Sequence, residues 1–85
     1  MKLAKEFQIV TVDGREYLTS SVRGFNGQAA CNETASFIIR KLKREISRDK
    51  LIRAMCRKFD ASEETIAKDV DDVLETLRQM GALER

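Results

Sequence analysis

The residues best placed to do chemistry in this chain are Phe25-Asn26-Gly27, then Gln28-Ala29-Ala30, then Cys31-Asn32-Glu33-Thr34. The chemistry they offer is hydrogen bonding by the backbone, not bond making. Gly27 lets the chain turn sharply. From about Gly27 to Cys31 the sequence predicts a short strand whose edge another backbone can approach. Asn32 then caps a helix, because its side-chain oxygen accepts a bond from an orphan N–H of the first turn. An open strand edge carries unpaired N–H and C=O groups, which proteins usually blunt with charge or proline. Gln28, Ala29, Ala30 and Cys31 include neither.

Covalent and metal chemistry are poorly provided for. The 85 residues include no histidine, so the commonest acid–base and metal-binding side chain is missing. There is no glycine-rich phosphate loop and no nucleophile elbow. With no catalytic constellation visible, the chain is expected not to be an enzyme and to need no cofactor or metal. Cys31 and Cys56 are the only thiols. They are too few for a secreted disulfide scaffold and match no metal-ligand spacing. Buried free thiols in a reducing cytosol are the expectation. Met1 to Glu6 contains no apolar run that could serve as a signal peptide, and no stretch reaches the length of a membrane span. A soluble cytoplasmic protein with no membrane partner is expected. Its length suits one domain over residues 1–85, with a core of marginal size.

The positioning elements can be read in order. Phe7 to Val12 and Arg15 to Ser20 are rich in apolar and β-branched residues, and Asp13-Gly14 separates them. An Asp-Gly pair between such runs predicts a two-residue hairpin turn. That turn sets Val12 opposite Arg15, Val10 opposite Tyr17 and Ile9 opposite Leu18. Phe7, Ile9 and Leu18 then share the buried face. Three strands with one apolar face need something packed on them, and the second half of the chain supplies helices. Ala35, Ile38, Ile39 and Leu42 recur at helical spacing after Asn32. Ser47 caps a second helix, whose stripe is Leu51, Ile52, Met55, Cys56 and Phe59. Ser62 caps a third, with Glu63 and Glu64 at its positive end. Its apolar positions run from Ile66 to Met80, and Gly81 ends it. Strands followed by helices indicate an α+β domain. The order β-β-β-α-α-α, with two short helices and a longer third, predicts a winged helix-turn-helix-like arrangement.

Charge separates the candidate functions. Residues 1–39 hold four basic and four acidic side chains. Residues 40–58 hold nine basic and two acidic, and residues 59–85 hold three basic and eight acidic. A winged helix that reads DNA places the second helix of its motif in the major groove. Here that is the acidic third helix, which repels phosphate. The basic cluster, Arg40, Lys41, Lys43, Arg44, Arg48, Lys50, Arg53, Arg57 and Lys58, lies on the first two helices. It reads most simply as a solvated face that also pairs with the third helix. A small nucleic-acid-binding regulator using residues 40–58 is the alternative.

The residues also resemble a known family, the PqqD-like proteins, which are recognition elements for ribosomally made, post-translationally modified peptides. Phe25-Asn26-Gly27 resembles the family's entry to its third strand. Cys31-Asn32-Glu33-Thr34 resembles the Leu-Asn-Glu-Thr signature that opens its first helix, with cysteine in place of leucine. Phe59-Asp60, Ser62-Glu63-Glu64, Asp69-Val70, Leu74, Leu77 and Gly81-Ala82-Leu83 resemble its helical half. The likeness runs from about residue 6 to residue 84. The junction from Lys41 to Lys50 is more basic than the family pattern.

The resemblance implies a non-catalytic adaptor. The leader of a precursor peptide would add as a strand to the edge of the third strand, in the groove beside the third helix. A modifying enzyme, often a radical SAM enzyme, would be a separate or fused partner. The candidate peptide-binding residues are Gln28, Ala29, Ala30, Cys31, Asp69, Val73, Leu77 and Met80. On a helical projection Asp69, Val73 and Met80 form one flank of the third helix, and Asp71, Leu74 and Arg78 the other. Ile66, Val70 and Leu77 fall near the middle of the apolar face. Ordinary core packing accounts equally well for each apolar member of this set. A subunit that only stabilises an enzyme is a third reading, and a bare strand edge is also open to self-pairing in a homodimer.

Overall fold

The computed structural model describes residues 1–21 and 29–84. Strands β1 (Phe7–Val12), β2 (Arg15–Ser20) and β3 (Ala29–Cys31) precede helices α1 (Glu33–Lys41), α2 (Arg48–Lys58) and α3 (Glu63–Gln79). The sheet is antiparallel in the order β1-β2-β3, so β3 is an edge strand. This is the expected α+β arrangement.

Local chemistry accounts for the boundaries. Asp13 and Gly14 have φ of 51° and 77°, the left-handed pair that a type I′ hairpin requires. The resulting register pairs Val12 with Arg15, Val10 with Tyr17 and Ile9 with Leu18, as anticipated. Asn32 Oδ1 accepts from the Ala35 N–H at 2.8 Å. Ser47 Oγ accepts from Lys50 and Ser62 Oγ from Thr65, both at 3.2 Å. Each cap satisfies a donor that has no partner inside its helix. Gly81, with φ of 74°, ends α3 where an L side chain would be strained.

The core lies between one face of the sheet and the three helices. Phe7 and Leu18 meet Ile38, Ile39 and Leu42 of the α1 region, Leu51 and Met55 of α2, and Ile66, Val70, Leu74 and Leu77 of α3. Ile9 is half-buried against this cluster. On the opposite face Val10 and Tyr17 are half-buried and Val12 is 45% exposed.

One expectation is corrected. Cys56 is exposed and Cys31 only half-buried, so the thiols are not core residues. The buried arc of α2 extends toward Ala54, which leaves Cys56 on the far side. Leu74, an apolar-face position on the flank away from Asp69, is buried, because α2 packs against that side of α3. The first residues also contribute more than their composition promised. Leu3 bridges Leu83, and the Leu3 and Ala4 N–H groups donate to the Leu42 and Ala82 carbonyls at 2.8 and 2.7 Å. Leu3, Ala4 and Ala82 are buried in consequence. No described helix is long and apolar enough to cross a membrane.

Candidate functional site

The hydrogen-bond phase of the sheet decides which backbone groups of β3 are free. The Ser21 N–H donates to the Glu6 carbonyl at 3.0 Å. In an antiparallel pair the bonded residues alternate, so Arg15, Tyr17 and Thr19 also turn toward β1. Glu16 and Leu18 must then turn toward β3, where their partners are Cys31 and Ala29. Ala30 lies between these two and directs its N–H and C=O outward. No described segment pairs with that outer edge.

A groove of about 240 Å³ runs beside this edge, between β3 and α3. Leu18, Ile39 and Leu77 form its floor. Ala29, Ala30 and Cys31 form one wall, and Val73, Thr76 and Met80 of α3 the other. Ala35 and Asp72 lie where it continues into a recess lined by Asn32, Thr34 and Asp69. The small side chains of β3 leave room for an incoming chain, and the surface is predominantly apolar.

Ala29, Ala30, Cys31, Val73, Leu77 and Met80, singled out from sequence, therefore come together around one groove. Asp69 lies in the adjoining recess and not in the groove itself. Gln28, together with Phe25 to Gly27, lies outside the described residues. Sequence reasoning missed Leu18, Ala35, Ile39, Asp72 and Thr76. Asp72 and Thr76 were detectable, since they continue the three- and four-residue spacing from Asp69 through Val73 to Met80. Leu18 and Ile39 read as core, and nothing local shows that they also form a groove floor.

The electrostatics of α3 are divided by flank. Asp71, on the α2 side, is held by Arg48, which keeps its carboxyl below the usual carboxylate range. On the groove side the Asp72 carboxylate has, among the described residues, only an exposed contact of 3.5 Å with Lys68. The Asp69 carboxylate has no hydrogen-bond or ion-pair partner among the described residues. Burial pushes the Cys31 thiol up, against the opposing pull of a hydrogen bond with the Leu18 backbone. Cys31 thus stands in the groove wall as a neutral thiol and a poor nucleophile.

The basic cluster pairs less than its sequence implied. Arg48 reaches Asp71 of α3, and Arg40 pairs with Glu16 of β2. Lys41 sits 5.4 Å from the Phe37 ring centre, and Phe37 meets Phe59 edge-on at 5.6 Å. Lys43, Arg44, Lys50, Arg53, Arg57 and Lys58 are exposed without an acidic partner among the described residues. No group of three or more His, Cys, Asp or Glu side chains among the described residues could hold a metal ion.

The fold is shared with a solved structure described as "TbiB1 in Complex with the TbiA(beta) Leader Peptide". The two chains are 20% identical, with a TM-score of 0.81 over 99% of this chain and 95% of the other. No curated protein sequence matches the chain. The family model of coenzyme PQQ synthesis protein D (PqqD) matches residues 9–83, and the chain belongs to that family.

Proposed function

We propose that this protein is a non-catalytic adaptor that captures the leader of a ribosomally made precursor peptide by strand addition and presents it to a modifying enzyme. A radical SAM enzyme is the modifying partner on this reading. The observation that carries it is the free outer edge of β3 beside an apolar groove. Main-chain bonds to the Ala30 edge would supply affinity, and groove contacts would select alternate side chains. Edge bonds at ~1 kcal/mol net each fall short of the ~8 kcal/mol of micromolar binding. Apolar anchors against Val73, Leu77 and Met80 supply the difference. Membership of the PqqD family and a fold shared with TbiB1, solved with a leader peptide, support the same reading.

The test is an amide-resolved NMR titration with the leader segment of the nearest small open reading frame in the genome. Shifts at Ala29 to Asn32 and along Val73 to Met80 are expected. Silence there, with shifts from added duplex DNA spread over residues 40–58, would overturn it. That second outcome is the nucleic-acid reading, favoured by the unpaired basic side chains of α2. Steep salt dependence of duplex binding is its signature. The same free edge is open to a second copy of the chain, which sedimentation would reveal as a dimer.

A further inference from the structure

We propose that the groove selects a strand with a basic residue followed, two and four residues later, by aliphatic residues. This inference rests on the strand-addition reading and specifies the peptide that the site takes. It comes from the spacing of the α3 wall. The side chains of α3 that face the groove and its recess form three levels: Asp69 with Asp72, Val73 with Thr76, and Leu77 with Met80. Successive levels are four residues apart, about 6 Å along a helix. A strand turns the same face outward every two residues, about 6.6 Å. Three alternate side chains of one strand therefore meet the three levels in turn.

The chemistry of each level follows from its residues. The Leu77 level is apolar, and the Val73 level adds only the Thr76 hydroxyl, which donates to the Asp72 carbonyl at 3.0 Å; both lie opposite the small side chains of β3, so they accept aliphatic groups. The Asp69 level carries two carboxylates. Among the described residues Lys68 pairs only with Asp72, at 3.5 Å and with both side chains largely exposed. The N-terminus of α1, which opens into the same recess at Asn32, brings about half a positive charge. The two carboxylates, Asp69 and Asp72, outweigh it. A lysine or arginine is the complementary side chain.

The order along the peptide follows from the direction of β3. Asn32 shares the recess with Asp69, so β3 runs toward the N-terminal half of α3. The sheet is antiparallel throughout, and a fourth strand in the same sense would run from Asp69 toward Met80. Its basic residue then comes first. The residue between the two aliphatic ones would sit opposite Ala30 and exchange main-chain bonds with it.

Capped heptapeptides test this. One carries Lys, Leu and Leu at its second, fourth and sixth positions among Ser and Thr. A second has Glu in place of Lys, and a third has the order reversed. Amide-resolved titration follows weak binding and reports the Ala30 edge directly. The first peptide is expected to shift the Ala30 amide and to bind about five- to tenfold more tightly than the second at low salt, with the difference collapsing at high salt. Asp69→Asn with Asp72→Asn should erase that difference while the spectrum stays folded. Equal binding of the Glu peptide, with Ala30 still shifting, overturns the charge selection and leaves strand addition standing. Tighter binding of the reversed peptide overturns the antiparallel order. If no peptide moves Ala30, strand addition fails and this inference fails with it.

Discussion

Arg48 and Asp71 are joined by two parallel hydrogen bonds, Nε to Oδ1 at 2.7 Å and Nη2 to Oδ2 at 2.9 Å. This fork ties the first turn of α2 to the middle of α3. It occupies the carboxylate on the α2 flank, whereas Asp69, two residues earlier, stays free on the other flank. Neutralising one side of α3 and not the other gives the helix a polarity that composition alone does not show.

The pair makes a prediction about acid stability. Arg48 lowers the folded-state pKa of Asp71 below its unfolded value. Its stabilisation is therefore complete above about pH 4, the ordinary aspartate range, and is lost as pH falls through the folded pKa. Both side chains are about half-exposed, so the effect is small and screened by salt. Asp71→Asn should flatten the acid limb of the urea midpoint against pH and leave the neutral limb nearly parallel to wild type.

Ala30→Pro tests the free edge. Proline has no N–H to donate, and at position 30 the missing donor points away from β2. Denaturation midpoints should change little, while leader affinity should fall about tenfold or more. An unchanged affinity in the folded variant would count against strand addition.

Val73 is half-buried at the centre of the groove wall. Val73→Ser removes apolar surface that a bound chain would cover. Calorimetry should show a loss of about 1–2 kcal/mol in leader binding. A variant that loses stability but keeps its affinity would make Val73 a core residue only.

Leu3 tests the closure of the termini. Its side chain is 5% exposed and its backbone bridges Leu83. Leu3→Ala should cost about 2–5 kcal/mol by chemical denaturation, as for other buried leucines. Leader affinity in the remaining folded fraction should be unchanged, because Leu3 does not line the groove.

Much of the fold was legible because its signals are local. Asp13-Gly14 selects a turn and thereby a register. Asn32, Ser47 and Ser62 each satisfy a helix donor within three residues, and Gly81 takes a conformation closed to other residues. Cys56 was misplaced for a different reason. Periodicity specifies an apolar arc, but where that arc is centred depends on which neighbour covers it. Ala54 and Leu74 are buried because α2 and α3 pack against each other.

The candidate site divides the same way. Residue types alone determined an uncharged strand edge, an acidic third helix and no catalytic set. Family resemblance named β3 and one flank of α3. Only the tertiary structure decided that Ala30 holds the outward hydrogen-bonding groups, since that phase is inherited from β1 through β2. Only packing makes Leu18 and Ile39 a floor and sets Asp72 beside Asp69 at one end. Backbone preference acts over three or four residues, whereas a groove exists between segments about forty residues apart in the chain. Its shape is set where side chains from those segments meet.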